Sequence, residues 1–365
     1  MSQALDQILG GTNLTGVIQQ TTTGIPDVFP ASFYASRRPV DGDTAEYTRI
    51  DGTRQTAHIA AYGSPSQQRE LKNIGKVPVK LIHTIESVLH KPNVLTNLLN
   101  FAEPTKQQLG IAEVTYQTRQ FRQLFDNLRV ASLTSMLFTG SINFDGNGSL
   151  LAGSGGAKIS INYGVPAGNT GQLNVLGAGN LLDASWDSAT TNIATQLTNL
   201  KKAARKLTGY PLVHAFYGQN VLDYLLNNNK VKEMMKFNPA ANARTLAGDM
   251  PSGMFGLQWH PAYEAFYEDD TGTAQDLVGG DQILFTPEPS MDWLDWLEGT
   301  YPVPTNVGSI TADALGAVGN VSVASGMFSY GQVLSDPVTV KHVAGDTFLP
   351  VLKVPKAVFV ATVKF

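Results

Sequence analysis

Apolar positions along this chain change period several times, and each change marks an element. Over residues 104–139 they recur at helical spacing, with Phe121, Leu124, Phe125 and Leu128 at i, i+3, i+4 and i+7. Leu109, Ala112 and Tyr116 extend the stripe backward, and Leu133, Met136 and Leu137 carry it forward. Pro104 suits a first helical turn, Gly140 a stop, and Arg122 can pair with Asp126 one turn on. At 1.5 Å per residue the segment predicts a rod of about 54 Å. Gly110, Val114 and Thr115 are expected to fray its first turns. A second helix is predicted over 186–208 from Trp186, Ile193, Leu197, Leu200, Ala204 and Leu207, ended by Gly209 and Pro211. A short one begins at Asn220.

Alternating or continuous apolar runs predict strands elsewhere. Glu46–Ile50 and Thr53–Ala61 flank Asp51-Gly52, a hairpin signal, and Val77–Ile82 closes that region. It has few bulky apolar residues at its middle, so it reads as a long excursion with no core of its own. Ile142–Phe144, a turn at Asp145–Gly148 and Lys158–Tyr163 predict a further hairpin. Leu212–Tyr217 reads as a buried strand, residues 256–300 as β-rich, and Phe348–Phe365 as two strands. Residues 1–36 carry only Asp6 and Asp27 as charges but many apolar side chains, so they read as an arm that packs on something, or as an ordinary first strand. The fold class is α+β.

Composition narrows the function. Charged residues are 15% of the chain, against roughly 25% in ordinary soluble domains, and 35 Gly and 19 Pro accompany them. Such a surface is expected to be covered, most simply by other copies of the chain. A net charge of −4 argues against a global grip on nucleic acid. Cysteine is absent, which excludes thiolate chemistry and disulfides. Met1–Gly10 lacks the basic start and apolar run of a secretory signal, and no run of about 20 apolar residues predicts a membrane span.

The search for chemistry yields little. His58, His83, His90, His214, His260 and His342 show no zinc-site spacing, although His83 and His90 would share a helix face with Glu86 between them. No nucleophile elbow occurs, and Gly153–Gly156 lacks the Lys-Ser/Thr of a phosphate loop. Asp145–Ser149 starts like a calcium loop, but Gly156 stands where a Glu is needed. Glu268–Asp270 and the Asp292/Asp295 pair are better read as exposed acidic turns than as acid–base groups, and Trp293 and Trp296 as apolar anchors rather than a sugar platform. No catalytic residue, cofactor or metal is expected.

Charge distribution is more informative. Residues 37–80 hold eight basic side chains against five acidic ones, while residues 251–300 hold ten acidic ones and no Lys or Arg. Such segregation suits head-to-tail contacts between copies, pairing within one chain, or two solvated faces. The candidate contact residues are Arg37, Arg38, Arg49, Arg54, Arg69, Lys72 and Lys76 on the basic side. On the acidic side they are Glu264, Glu268, Asp269, Asp270, Asp292 and Asp295.

The order of elements resembles the major capsid proteins of tailed phages, the Hong-Kong-97-type fold, and most of all the subgroup typified by the phage lambda capsid protein. The resemblance runs from about residue 20 to 365 and includes Gln117–Phe121, Leu133–Gly140, Lys230–Lys236 and Phe348–Pro355. It implies an N-terminal arm at 1–36 that reaches under a neighbour and an E-loop at 37–82 that lies on the next subunit. It further implies a peripheral domain at 83–211 with its spine helix at 104–139, an axial domain at 212–340 and C-terminal strands at 341–365 returning to the peripheral domain. The implied function is a self-assembling icosahedral head shell around double-stranded DNA, built of pentamers and hexamers in the host bacterial cytoplasm. The implied partners are other copies of the chain, a separate scaffolding protein, a portal, a decoration protein and DNA contacted non-specifically. No acidic or coiled-coil stretch of about 100 residues precedes the arm, so scaffolding is expected from a separate protein. A nanocompartment shell of the encapsulin type and a tail or connector protein are the rival readings.

Overall fold

A computed structural model describes residues 9–21, 28–50, 74–90, 92–98, 103–177, 179–236, 250, 253–268, 272–305, 321–335 and 338–365. In chain order the first part contains helix α1 (Gly11–Gln20), strands β1 (Arg37–Val40), β2 (Thr44–Ile50), β3 (Ile74–Lys80) and β4 (Ile82–Leu89), and helices α2 (Pro92–Leu98) and α3 (Pro104–Thr139). Strands β5 (Ser141–Phe144), β6 (Leu150–Leu151), β7 (Ile159–Asn162) and β8 (Thr170–Gly171) follow. Helix α4 (Ile193–Thr208), strand β9 (His214–Tyr217) and helices α5 (Gln219–Asn227) and α6 (Asn229–Lys236) come next. The remainder is strands: β10 (Gln258–Pro261), β11 (Phe266–Glu268), β12 (Ala274–Asp276), β13 (Gln282–Thr286), β14 (Leu294–Pro304), β15 (Val321–Ser325), β16 (Phe328–Ser335), β17 (Val338–Leu352) and β18 (Phe359–Thr362).

Helix α3 has the predicted ends. Pro104 occupies its first turn, and Gly140 closes it at φ 72°, its N–H bonded to the Met136 carbonyl. Its buried face differs from the predicted stripe. Gly110, Val114, Thr118, Phe121, Phe125 and Arg129 point inward, and every residue from Ala131 to Phe138 is buried. Leu109, Tyr116 and Leu124 are 60%, 57% and 54% exposed. Gly110 does not fray the helix but lets α2 approach, because a Cβ there would lie 2.9 Å from Leu98 Cγ. Helix α4 begins seven residues later than predicted. Trp186 is fully buried, but in the preceding loop, where its indole N–H donates to Gln196 Oε1 at 2.7 Å. His83 lies within strand β4 and His90 just past its end, so they share no helix face.

Two sheets organise the chain. The six-stranded sheet runs β1-β14-β17-β16, with β15 beside β14 and β4 beside β17. Residues 341–345 of β17 are paired on both edges, with β16 and with β4. The five-stranded sheet runs β10-β9-β13-β18-β8. Its side chains alternate: Phe216, Leu284 and Val360 enter the core beneath α3 and the larger sheet, while Tyr217, Ile283, Phe285 and Phe359 enter a second core. Residues of α4, α5 and α6 (Leu197, Leu200, Val221, Leu225, Val231) complete that second core. A three-stranded sheet β6-β5-β7 hangs from the end of α3. Its turn is closed by Asp145, whose Oδ1 accepts the N–H groups of Asn147 and Ser149 at 2.8 Å.

These pairings join strands far apart in the sequence. Strands β14, β15 and β16 lie in the sheet of β4 and β17. Helix α4 packs on the second core with β9, and of the C-terminal strands β17 lies in the larger sheet while β18 pairs with β13. The described arm residues pack on their own chain. Leu14 and Ile18 of α1 are buried, Thr15 exchanges hydrogen bonds with the Ser329 backbone at 3.0 and 3.1 Å, and Phe29 and Phe33 pack against Phe216. Apolar side chains in a weakly charged segment gain most from the nearest apolar surface, here its own sheets.

Candidate assembly surfaces

The basic excursion is a two-stranded ribbon. Strands β2 and β3 pair antiparallel from Thr44↔Lys80 to Ile50↔Ile74. Only Ala45 and Tyr47 are buried on β2, and burial raises the Tyr47 pKa. The Asp51-Gly52 turn and the run to Ala61 lie outside the described residues, as do Arg54, Arg69 and Lys72. The described basic residues have partners in their own chain. Arg37 pairs with Glu298 at 3.4 Å and Lys76 with Glu46 at 3.6 Å. Arg38 donates to the Glu46 carbonyl at 3.3 Å, and Arg49 to the Gly164 carbonyl at 3.4 Å. Basic and acidic regions are therefore joined within one chain at Arg37–Glu298.

The acidic residues divide into two groups. Asp295, expected on an exposed turn, is 4% exposed. It accepts from Ser36 Oγ at 2.7 Å and from the Trp296 N–H at 3.0 Å, and it pairs with Lys353 at 3.1 Å. Strand β14 starts at Leu294, and this turns Asp295 inward against the arm. Asp292 sits at φ 60° and pairs with the same lysine at 2.5 Å. Burial works against the Lys353 ammonium, but hydrogen bonds to Asp292 and Asp295 outweigh it and raise its pKa. Both carboxylates are thus engaged by the one Lys353 ammonium. Trp293 and Trp296 are 0% and 2% exposed, anchors as expected, with indole N–H groups bonded to the Glu288 and Phe33 carbonyls. Glu264 and Glu268 remain exposed at the β11–β12 hairpin, next to the exposed rings of Tyr263 and Phe266. Asp269 and Asp270 lie outside the described residues.

Sequence reasoning missed three polar clusters. Arg129, on the inward face of α3, makes a bidentate pair with Asp346 at 2.7 Å for both bonds and reaches Glu298 at 3.0 Å. Its guanidinium lies 5.2 Å from the Phe348 ring centroid. Burial opposes its charge, but Asp346 and Glu298 overcome this and raise its pKa. With Arg37 the network ties β1, β14, β17 and α3 together. Two histidine clusters are also buried. His214 bonds His260 at 3.1 Å and Glu288 at 2.7 Å, and burial with the His214 neighbour pushes His260 down to about 4. His342 bonds Ser329 Oγ at 2.7 Å and stacks on His90 at 5.7 Å, and burial with the His90 neighbour pushes it down to about 3. Among the described residues no group of three His, Cys, Asp or Glu side chains could hold a metal, and no helix is long and apolar enough to cross a membrane.

The molecule's distinctive features are thus an exposed ribbon, a long helix clamped to a sheet and charged patches at its margins. Residues 12–363 match the family model described as phage major capsid protein E. The chain belongs to that family. It is a head-shell protein of the bacteriophage virion. None of the curated protein sequences is similar enough to count as a relative. Among solved structures, a phage-related protein from Bordetella bronchiseptica RB50 matches over 97% of both chains at 10% identity and a TM-score of 0.50. The putative capsid protein of a prophage from E. coli CFT073 matches over 80% of this chain and 79% of its own, at 13% identity and a TM-score of 0.49. The capsid protein E chain has the Hong-Kong-97-type fold. Its family is a structural one.

Proposed function

We propose that this capsid protein E chain closes into an icosahedral shell of pentamers and hexamers through its β2–β3 excursion, which lies on a neighbouring subunit as an E-loop. The observation that carries this reading is the ribbon itself: among the described residues of β2 and β3 only Ala45 and Tyr47 are buried, in a chain of the capsid family. A two-stranded ribbon is marginal alone and gains stability from a second surface. The unit built on the six-stranded sheet and α3 would form the peripheral part of each subunit, and the five-stranded sheet with α4–α6 the axial part. Arg54, Arg69 and Lys72 on the excursion, and Glu264, Glu268, Asp269 and Asp270 on the acidic side, are the contact residues we assign to neighbours. Assembly would take place in the host bacterial cytoplasm, with a separate scaffolding protein, a portal and double-stranded DNA as partners, and a decoration protein on the finished shell. The inner wall needs only to tolerate DNA, in keeping with a net charge of −4. No catalytic step is required.

Negative-stain electron microscopy of the chain, produced alone and then with its neighbouring genes, tests this. Closed shells or capsomer rings are expected, and their diameter separates a phage head from a small compartment. A monomer under every condition overturns the reading.

A further inference from the structure

The five-stranded sheet carries opposite charge at its two ends. Helix α4 finishes in Lys201, Lys202, Arg205 and Lys206, and Gly209–Val213 leads from it into the start of β9. The start of the parallel neighbour β10 lies at the same end, where the Gln258 N–H bonds the Val213 carbonyl. Just before it come Met254 and Phe255, both half-buried, with Phe255 at φ 55° and its carbonyl accepting from Lys201 Nζ. A non-glycine residue held at positive φ stores strain of the kind found at functional sites. The helix dipole favours cations only in the last turn, which holds Arg205 and Lys206, so it does not account for Lys201 and Lys202.

At the other end of β9 the Tyr217 carbonyl accepts the Ala262 N–H at 2.9 Å, and the acidic hairpin begins. It exposes Tyr263 (40%) and Phe266 (56%) among Glu264, Glu268 and Asp276. Aromatic anchors with a charged rim are the usual make-up of an interface centre. Lys202, Arg205 and Lys206 form no ion pair with a described residue, and neither do these three acids. The described cations of the excursion, by contrast, have partners within the chain.

We propose that the acidic hairpin of one subunit docks on the basic α4 end of a second copy. Tyr263 and Phe266 would lie against Met254 and Phe255, and Glu264, Glu268 and Asp276 opposite Lys202, Arg205 and Lys206. The two patches sit at opposite ends of one sheet, so a subunit cannot satisfy both by itself. The contact is head-to-tail and is completed when a ring closes. It rests on the shell reading above and specifies the contact made within a capsomer.

Three full-length variants, each produced with the neighbouring genes, test it: E264K/E268K/D276K, K202E/R205E/K206E, and the two sets combined. Each triple is expected to lower the yield of closed particles at least about ten-fold, because like charges then face each other. The combined variant restores complementarity with reversed polarity and is expected to regain particles. Carbodiimide cross-linking of wild-type particles with mixed isotope labels guards against misfolded variants. Inter-subunit links from Glu264, Glu268 or Asp276 to Lys202 or Lys206 are expected, and links only to other lysines overturn the pairing. Triples that assemble at wild-type yield also overturn it, as does a K202E/R205E/K206E shell that is intact but poor in DNA, which would make the basic end a DNA contact. If the wild type itself forms no particle, it is the shell reading that fails.

Discussion

Arg129 is the only charged side chain on the inward face of α3, and Asp346, its partner 217 residues away, is fully buried. Removing one member strands the other charge in the core, so Asp346→Ala should lose about 3–5 kcal/mol, measured by denaturant unfolding. Replacing both by well-packed leucines should recover much of that loss. The i, i+4 series Phe121, Phe125, Arg129 was legible as a helix face, yet reading it as purely apolar passed over the arginine. Its partner could not be found from sequence, because no local spacing links two residues that meet only through the sheet. His342 gives a second prediction. Its folded pKa is depressed to about 3, so the unfolded chain binds more protons between there and about 6.5. Its contribution is complete above about pH 6.5 and is lost as pH falls toward 3. At pH 5 the loss is about 2 kcal/mol. His342→Phe should flatten that part of the pH–stability curve, since Ser329 Oγ keeps a bond to the Val343 carbonyl at 3.2 Å.

At the scale of the element, α2 and α3 meet through one missing side chain. Gly110→Ala would raise helix propensity by about 1 kcal/mol. It would also place a Cβ 2.9 Å from Leu98 Cγ and 3.0 Å from the Leu98 nitrogen. Overpacking of about 1–3 kcal/mol should prevail. A lower melting temperature and faster hydrogen exchange over 92–98 are expected, and unchanged exchange there would refute the account. Helix ends were readable where chemistry is local: Pro104, Gly140 and Gly209 each act on the backbone they belong to. The start of α4 was not, since Trp186 fits the helical period but is held by Gln196 and by its own N–H on the Val363 carbonyl. Periodicity records that a side chain is buried, not which element buries it. The same limit applies to His83 and His90, whose seven-residue spacing fits a helix face but belongs to β4 and its end.

For the whole molecule, the order of elements was legible and their grouping was not. Strand pairing is non-local: β1 pairs with β14 and β4 with β17 through no spacing visible in the sequence. Arg49, Arg54 and Arg69 test the excursion as an assembly element: reversing all three to Glu should prevent closed shells while leaving the subunit folded, read by electron microscopy and circular dichroism. Normal shells from that variant would remove the charged contact from the excursion. Wild-type assembly should also weaken as salt rises, since exposed charges are screened within about 10 Å at 0.1 M.

Strand β17 has one further consequence. Its hydrogen bonds lie across its axis, and over 341–345 both of its edges are occupied. A load along the chain at that point meets those bonds in shear, so they must fail together rather than open one by one. Arg129 rivets the same strand to α3 through Asp346, one residue further on. In a wall stretched from inside, β17 is the tie rod, and the subunit should tear elsewhere first.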